Sequence, residues 1–354
     1  MQKHSKMKKY LTSALKITVA CVLVFYLLKS GRLRAESLQR LLHAESIPFL
    51  ALSALAFLIS QMLSSIRMMF LLSVIQLRIS LILAFKLTMI GNFFNIAIPG
   101  TIGGDLIKGY YLARNEGTSK GRSSGIVIVD RALGLIALCV IALASVIYIT
   151  RKHRPSLSPY YYELWGMITL SVVMVVLFVA VVLICKYEPA RQKIGRIILR
   201  LFPKGVLYNA IEGFALITKK RRYLSCALLI SLVAQGASLA GLLNLLNLTQ
   251  ERSPDLVALV GASSIVMLMG IIPLTPGNIG WTEFVAALGW SAVGATGGAD
   301  TFLTWRIITI ACSLMGGFFY LMSARALSTR ARSPDDGAPL NASHTPYSEQ
   351  RNEE

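Results

Sequence analysis

Charge is scarce in this chain of 354 residues: only 15% are Asp, Glu, Lys or Arg. Soluble domains carry about a quarter charged residues, so the shortage excludes an ordinary water-soluble globule. Metal-ligand patterns are also lacking. The five cysteines, Cys21, Cys139, Cys185, Cys226 and Cys312, stand singly in or beside apolar runs. Without a CxxC pair they form neither a zinc site nor a disulfide framework, and they read as small packing residues. The four histidines, His4, His43, His153 and His344, are scattered without ligand spacing. No metal and no cofactor is expected. Nucleophile elbow, HExxH, Gly-rich dinucleotide turn and Walker sequence are all missing, and the chain does not read as an enzyme.

What fills the chain is apolar residue, at 55%, with a mean hydropathy of +0.61. Several runs approach the roughly 20 residues that cross a hydrocarbon core. Spans are expected near 10–28, 47–66, 124–149, 165–185, 223–246, 255–272, 283–297 and 301–323. The fold class is therefore all-α, a polytopic membrane protein of about eight transmembrane helices with re-entrant or broken segments between them. The basic start has an apolar run from Leu11 to Leu28 with no small-residue cleavage site after it, longer than a signal core, and reads as an uncleaved first span. Residues 1–330 read as one transmembrane domain, and 331–354, rich in Pro, Ser and acids, as a disordered polar tail.

The net charge of +19 then speaks of topology rather than of nucleic acid. Ten Lys and Arg crowd the stretch from Lys186 to Arg222, which is expected in the cytoplasm and in contact with anionic lipid. The N-terminus and the region around Lys108, Arg114 and Lys120 share that side if 81–104 enters and leaves by one face. Both termini are then cytoplasmic, in a bacterial inner membrane. Two other loops, KSGRLRAESLQR and RKHRP, are basic too and pull the other way.

One pattern occurs twice. Pro99-Gly100-Thr-Ile-Gly103 precedes Asp105, and Pro276-Gly277-Asn-Ile-Gly280 precedes Glu283. Proline removes a backbone donor and glycine loosens a helix, so both segments are expected to break at membrane depth. Such breaks expose backbone groups that need water, protein or a polar ligand, and paired breaks in two halves point to a transport site and to an inverted repeat. The first break lies in SLILAFKLTMIGNFFNIAIPGTIGGD, an apolar segment interrupted by Lys86, Gly91, Asn92 and Asn95, which reads as loop-like at its polar centre.

Charges near these motifs are the binding candidates. The amides of Gly103 and Gly104 at a helix start suit a phosphate, with Lys108 on the helix face of Asp105. Asp130 and Arg131 sit in an apolar run, VIVDRALGLIAL. A charge there is costly and needs a partner, and neighbours in sequence do not face each other on a helix. Their expected partners are Asp105, Lys108, Glu283 and Arg306. Arg67, Arg78 and Lys86 add positive charge within reach of membrane depth, some of it snorkelling to the interface.

These quoted segments, GNFFNIAIPGTIGGDLIKGYYLAR, IVIVDRALGLIAL and IPLTPGNIGWTEF, followed by Arg306, resemble the lysylphosphatidylglycerol synthase transmembrane-domain family over roughly residues 10–325. The resemblance implies a flippase-like membrane domain without the synthase portion that uses aminoacyl-tRNA. It also implies functional weight for Asn92, Asn95, Pro99, Gly103, Gly104, Asp105, Lys108, Asp130, Arg131, Pro276, Gly277, Gly280, Glu283 and Arg306. Lys108 stands where the family commonly has arginine, and Asn278 where it commonly has a second glycine. The function expected is translocation of a phospholipid or polyprenyl-phosphate-linked lipid through a polar cleft between the two breaks. The alternative is an accessory or transferase component of envelope glycolipid or hopanoid assembly, which would partner envelope glycolipid enzymes.

Overall fold

A computed structural model describes residues 21–31, 43–97, 103–115, 120–152, 220–249, 255–272 and 274–330, with single positions at 18 and between 166 and 215. Pro99, Gly100 and the tail 331–354 lie outside the described residues, as do most positions of the expected span 165–185 and of the basic stretch 186–222.

Local chemistry starts and stops the helices. Helix α1, Ile47–Val74, opens with Pro48 in its first turn, where the missing amide costs nothing, and is followed by Gln76 at φ 64°. The next helices are α2 (Leu81–Ala97), α3 (Gly103–Asn115), α4 (Lys120–Lys152) and α5 (Arg221–Asn244). Helix α6, Leu256–Met269, is capped by Asp255, whose carboxylate accepts from the Val257 amide at 3.0 Å. Helices α7 (Trp281–Ser291) and α8 (Gly298–Arg330) follow.

Length separates the helices into two kinds. Among the described residues four stretches are long and apolar enough to cross a membrane: Ala44–Val74, Gly125–Arg151, Arg222–Leu248 and Gly298–Met322. The others are short. At 1.5 Å per residue, α3 reaches about 20 Å and α7 about 16 Å, against a core of about 30 Å. The expected span 283–297 is thus an 11-residue helix ending at Ser291, and the residues before α8 turn at Gly294 and Gly297, both at φ 75°. The polar centre expected as a loop is helical instead. Asn92 and Asn95 lie in α2, which runs unbroken through Gly91 to Ala97 because each asparagine finds a partner beside the helix: Asn92 donates to Gln61 Oε1 at 2.9 Å and Asn95 accepts from Gly104.

The short helices pair as antiparallel hairpins. In α2–α3, Asn95 meets Gly104 while Gly91 lies against Lys108. In α6–α7, Trp281 Nε1 donates to the Met269 carbonyl at 3.0 Å, and Trp290 Nε1 donates to Ser263 at 3.1 Å. Among the described residues chain order is then the same twice over: long helix, hairpin, long helix, as α1–α4 and again as α5–α8. The lead helices α1 and α5 pack side by side and run in opposite directions. Ser53 donates to the Gly241 carbonyl at 2.7 Å, and Arg67 further along α1 donates to Ser231 earlier on α5 at 2.8 Å. Each closing helix also packs on the opposite half, α4 on α6 and α8 on α2. The halves are thereby related as an inverted repeat.

Two apolar clusters hold this arrangement. One is built around Met68, Leu71 and Leu72 of α1 with Leu87, Ile126 and Leu133; the other around Phe57, Leu242, Trp290 and Trp305. Small residues allow the closest approaches. Ser145 of α4 faces Gly261 of α6, and the Gly316 backbone lies on that of Met89. Within lipid, where apolar contact gives little net drive, such close packing is the main attraction between helices.

Candidate functional site

Each returning helix carries its acid at the same place. Asp105 is the third residue of α3 and Glu283 the third of α7, although Gly103 precedes Asp105 by two positions and Gly280 precedes Glu283 by three. Each acid then meets an arginine of the long helix that follows it, Asp105 with Arg131 of α4 and Glu283 with Arg306 of α8. An anion in a first turn is favoured by the helix dipole, and the arginine satisfies it further.

The second hairpin is closed upon itself. Gly277 and Asn278 take left-handed backbone at φ 59° and 57°, and Gly280 has φ 82°. Arg306 holds this tip with all three nitrogens. Its Nε donates to Glu283 Oε1 at 2.6 Å, Nη1 to the Gly277 carbonyl, and Nη2 to the Asn278 carbonyl at 3.0 Å and to Thr282 Oγ1. The other carboxylate oxygen of Glu283 accepts from the Gly280 amide at 2.7 Å, and only 2% of Glu283 is exposed. Asn278 also donates to the Gly270 carbonyl, so the tip is stitched to the end of α6. Two buried oxygens here, Thr275 Oγ1 and Asn278 Oδ1, have no hydrogen-bond partner among the described residues. Buried polar atoms in that state mark a place for water or a polar ligand.

The first hairpin is arranged differently. Asp105 faces two cations, Arg131 in a direct ion pair and Lys108 with Nζ 4.0 Å away. Lys108 is 8% exposed, its stem lies across Gly91, and its ammonium makes no hydrogen bond to a described residue. Arg131 is the more open partner, with 30% of its side chain exposed. Among the described residues Asp105 thus lies against two cations, whereas Glu283 has Arg306 alone. The Gly104 amide, expected at a phosphate, is already donated to Asn95 Oδ1 at 2.9 Å. A Cβ at Gly104 would run into the Gly91 carbonyl, so glycine is what permits the two arms to touch.

Asp130 lies apart from both hairpins. Its expected partners were Lys108 or Arg306; the structure instead gives it Arg67 of α1, Nε to Oδ1 at 2.7 Å, with both side chains nearly buried. Arg67 also reaches Ser231, and one turn along Gln235 donates to the Gly134 carbonyl at 3.2 Å. Helices α1, α4 and α5 are joined here by a neutral pair. Sequence reasoning placed Arg67 only among general positive charges, and missed Gln61, Ser231 and Thr282 as partners. The available signal for Arg67 was its position inside an apolar span, where a lone cation requires an acid.

Comparison with known proteins gives one family and two relatives. A family model described as the lysylphosphatidylglycerol synthase TM region matches residues 13–317. A UPF0104 membrane protein of Pyrococcus horikoshii is 27% identical over 345 residues, covering 91% of this chain and 99% of that protein. A UPF0104 membrane protein of Methanocaldococcus jannaschii is 22% identical over 240 residues, covering 66% and 96%. No solved structure matches. With the long apolar helices, these matches make the chain a multi-pass membrane protein.

Proposed function

Because the chain belongs to the family of the lysylphosphatidylglycerol synthase TM region, we propose that it is a membrane lipid translocase. It moves a phospholipid or a polyprenyl-phosphate-linked lipid between leaflets, the headgroup passing between the two hairpins while the hydrocarbon chains stay in lipid. The observation that carries this reading is Lys108 beside Asp105 and Arg131, a buried ammonium 4.0 Å from the carboxylate that makes no hydrogen bond to a described residue. A phosphate monoanion supplies the matching charge and acceptors. The hairpins, too short to span, act as re-entrant helices entering from opposite faces, an arrangement that transporters use to bring helix ends to a central site.

Residue roles follow from this reading. Lys108 and Arg131 meet the phosphate, Asp105 keeps Arg131 in position, and Asn92 and Asn95 line the approach along α2. Glu283, Arg306 and Gly280 hold the second tip in shape, so that Thr275 and Asn278 face the polar path. Arg67 and Asp130 tie the repeats together. With no nucleotide-binding motif in the sequence, movement runs downhill or with an ion gradient. We place the protein in the cytoplasmic membrane, both termini inside, with the basic stretch 186–222 on anionic lipid.

Fluorescent-lipid translocation in proteoliposomes tests the reading, comparing the native protein with Asp105→Asn and Glu283→Gln. The native protein moves lipid, and Asp105→Asn, still folded, slows it at least tenfold. Failure of the native protein to move any phospholipid or polyprenyl phosphate of a broad panel sinks the proposal.

A further inference from the structure

A second place on the molecule is suited to lipid, independent of the hairpin tips. Helices α1, α2 and α8 leave an open cleft of about 590 Å³ between Ile59 and Met62, Ile82 and Phe85, and Phe319. Its walls are wholly apolar, and three of these residues are exposed on the outside of the protein: Ile59 at 46%, Met62 at 38% and Ile82 at 69%. Apolar clefts of this size are typical of small-ligand sites, which add a few placed polar groups.

Here the polar group is Lys86. It borders the cleft with its hydrocarbon stem, is exposed, and makes no ion pair or hydrogen bond with a described residue. It is the sixth residue of α2, about 8 Å from the helix start. Side chains on a helix lean towards its N-terminus, so the ammonium is directed along the cleft towards the start of α2. Arg78, also exposed and without a partner among the described residues, precedes α2 at that same end. Apolar walls beside unpaired cations match a molecule that joins a hydrocarbon chain to an anion. A neighbouring helix seated in the cleft would instead cover Lys86 with no counter-charge, which is costly in lipid.

We infer that this cleft is a binding site for an anionic phospholipid, one hydrocarbon chain lying between α1, α2 and α8 and the phosphate resting on Lys86, with Arg78 beside it. The site sits on the lipid-facing side of α2 and is separate from the Asp105 cluster. It holds whether or not the protein transports lipid.

Native mass spectrometry of the purified full-length protein in detergent, loaded with phosphatidylglycerol or phosphatidylcholine, provides the test. One phosphatidylglycerol is retained about fivefold better than phosphatidylcholine, the effect of one lysine near an anionic headgroup. Lys86→Gln brings the ratio close to one, and Lys86→Arg restores it. Ile82→Trp, at an exposed position that leaves packing intact, fills the cleft and lowers retention of both lipids. An unchanged ratio in Lys86→Gln overturns the site. So does full retention in Ile82→Trp, which would mean contact with bulk lipid only.

Discussion

In the first hairpin Asp105 is shared by Arg131 and Lys108, and the ammonium stands 4.0 Å off; in the second, Glu283 and two backbone carbonyls all converge on Arg306. The skeletons match: a Pro-Gly-x-Ile-Gly sequence, an acid third in the returning helix, an arginine on the next long helix. The difference lies in the additional cation, Lys108, beside the first acid, and in the backbone carbonyls that Arg306 holds at the second. An arginine whose donors are spent on the backbone of the preceding tip is a structural clamp, while a buried ammonium with no hydrogen bond to a described residue is ready for an anion. Repetition of a motif therefore fixes where polar groups gather, and their local partners decide whether the cluster binds or braces.

Substitutions can separate bracing from binding. Arg306→Leu is expected to act most strongly. It leaves Glu283 buried without a counter-charge and releases two carbonyls, costing about 3–5 kcal/mol, read as a lower unfolding midpoint of the purified protein. If that variant is as stable as the native protein, the second hairpin is not clamped by Arg306. Gly104→Ala comes next. Its Cβ meets the Gly91 carbonyl, forcing the arms of the first hairpin apart at about 1–3 kcal/mol; little thermal loss would mean the arms are not in contact. The smallest effect on stability belongs to Lys108→Gln, because the ammonium has no hydrogen bond to lose and its burial is itself costly. Thermal unfolding should move by less than it does in Gly104→Ala, because Asp105 keeps Arg131, while lipid translocation drops and Lys108→Arg retains it. Equal transport by Lys108→Gln would erase the distinction between the hairpins.

Much of the fold was legible in the residues. Long runs of Ile, Leu and Val mark α1, α4, α5 and α8 because only helices of that length satisfy the backbone inside a bilayer. The site was legible in part. Asp105 with Arg131 was among the expected pairings, since both are charges in apolar surroundings. Arg67 with Asp130 was not, because they are 63 positions apart on helices that meet only after folding. The polar run through Asn92 and Asn95 suggested a loop for a related reason. Asparagine weakens a helix locally, and the partners that make it acceptable, Gln61 and Gly104, come from α1 and α3.

Composition alone placed this chain in a membrane, since a chain with 55% apolar residues and few charges has no other medium that suits its surface. The doubled Pro-Gly motif alone led to the expectation of two breaks, because proline and glycine act on their own backbone wherever they stand; the one at Pro276-Gly277 lies among the described residues and is seen. The tertiary structure decided the rest: that the two halves run in opposite senses, that Arg306 is consumed by its own loop, and that Lys108 is left with capacity beside Asp105 and Arg131. Those outcomes depend on which side chains meet across helices. That is a matter of packing, register and charge balance in three dimensions, and no single segment carries it.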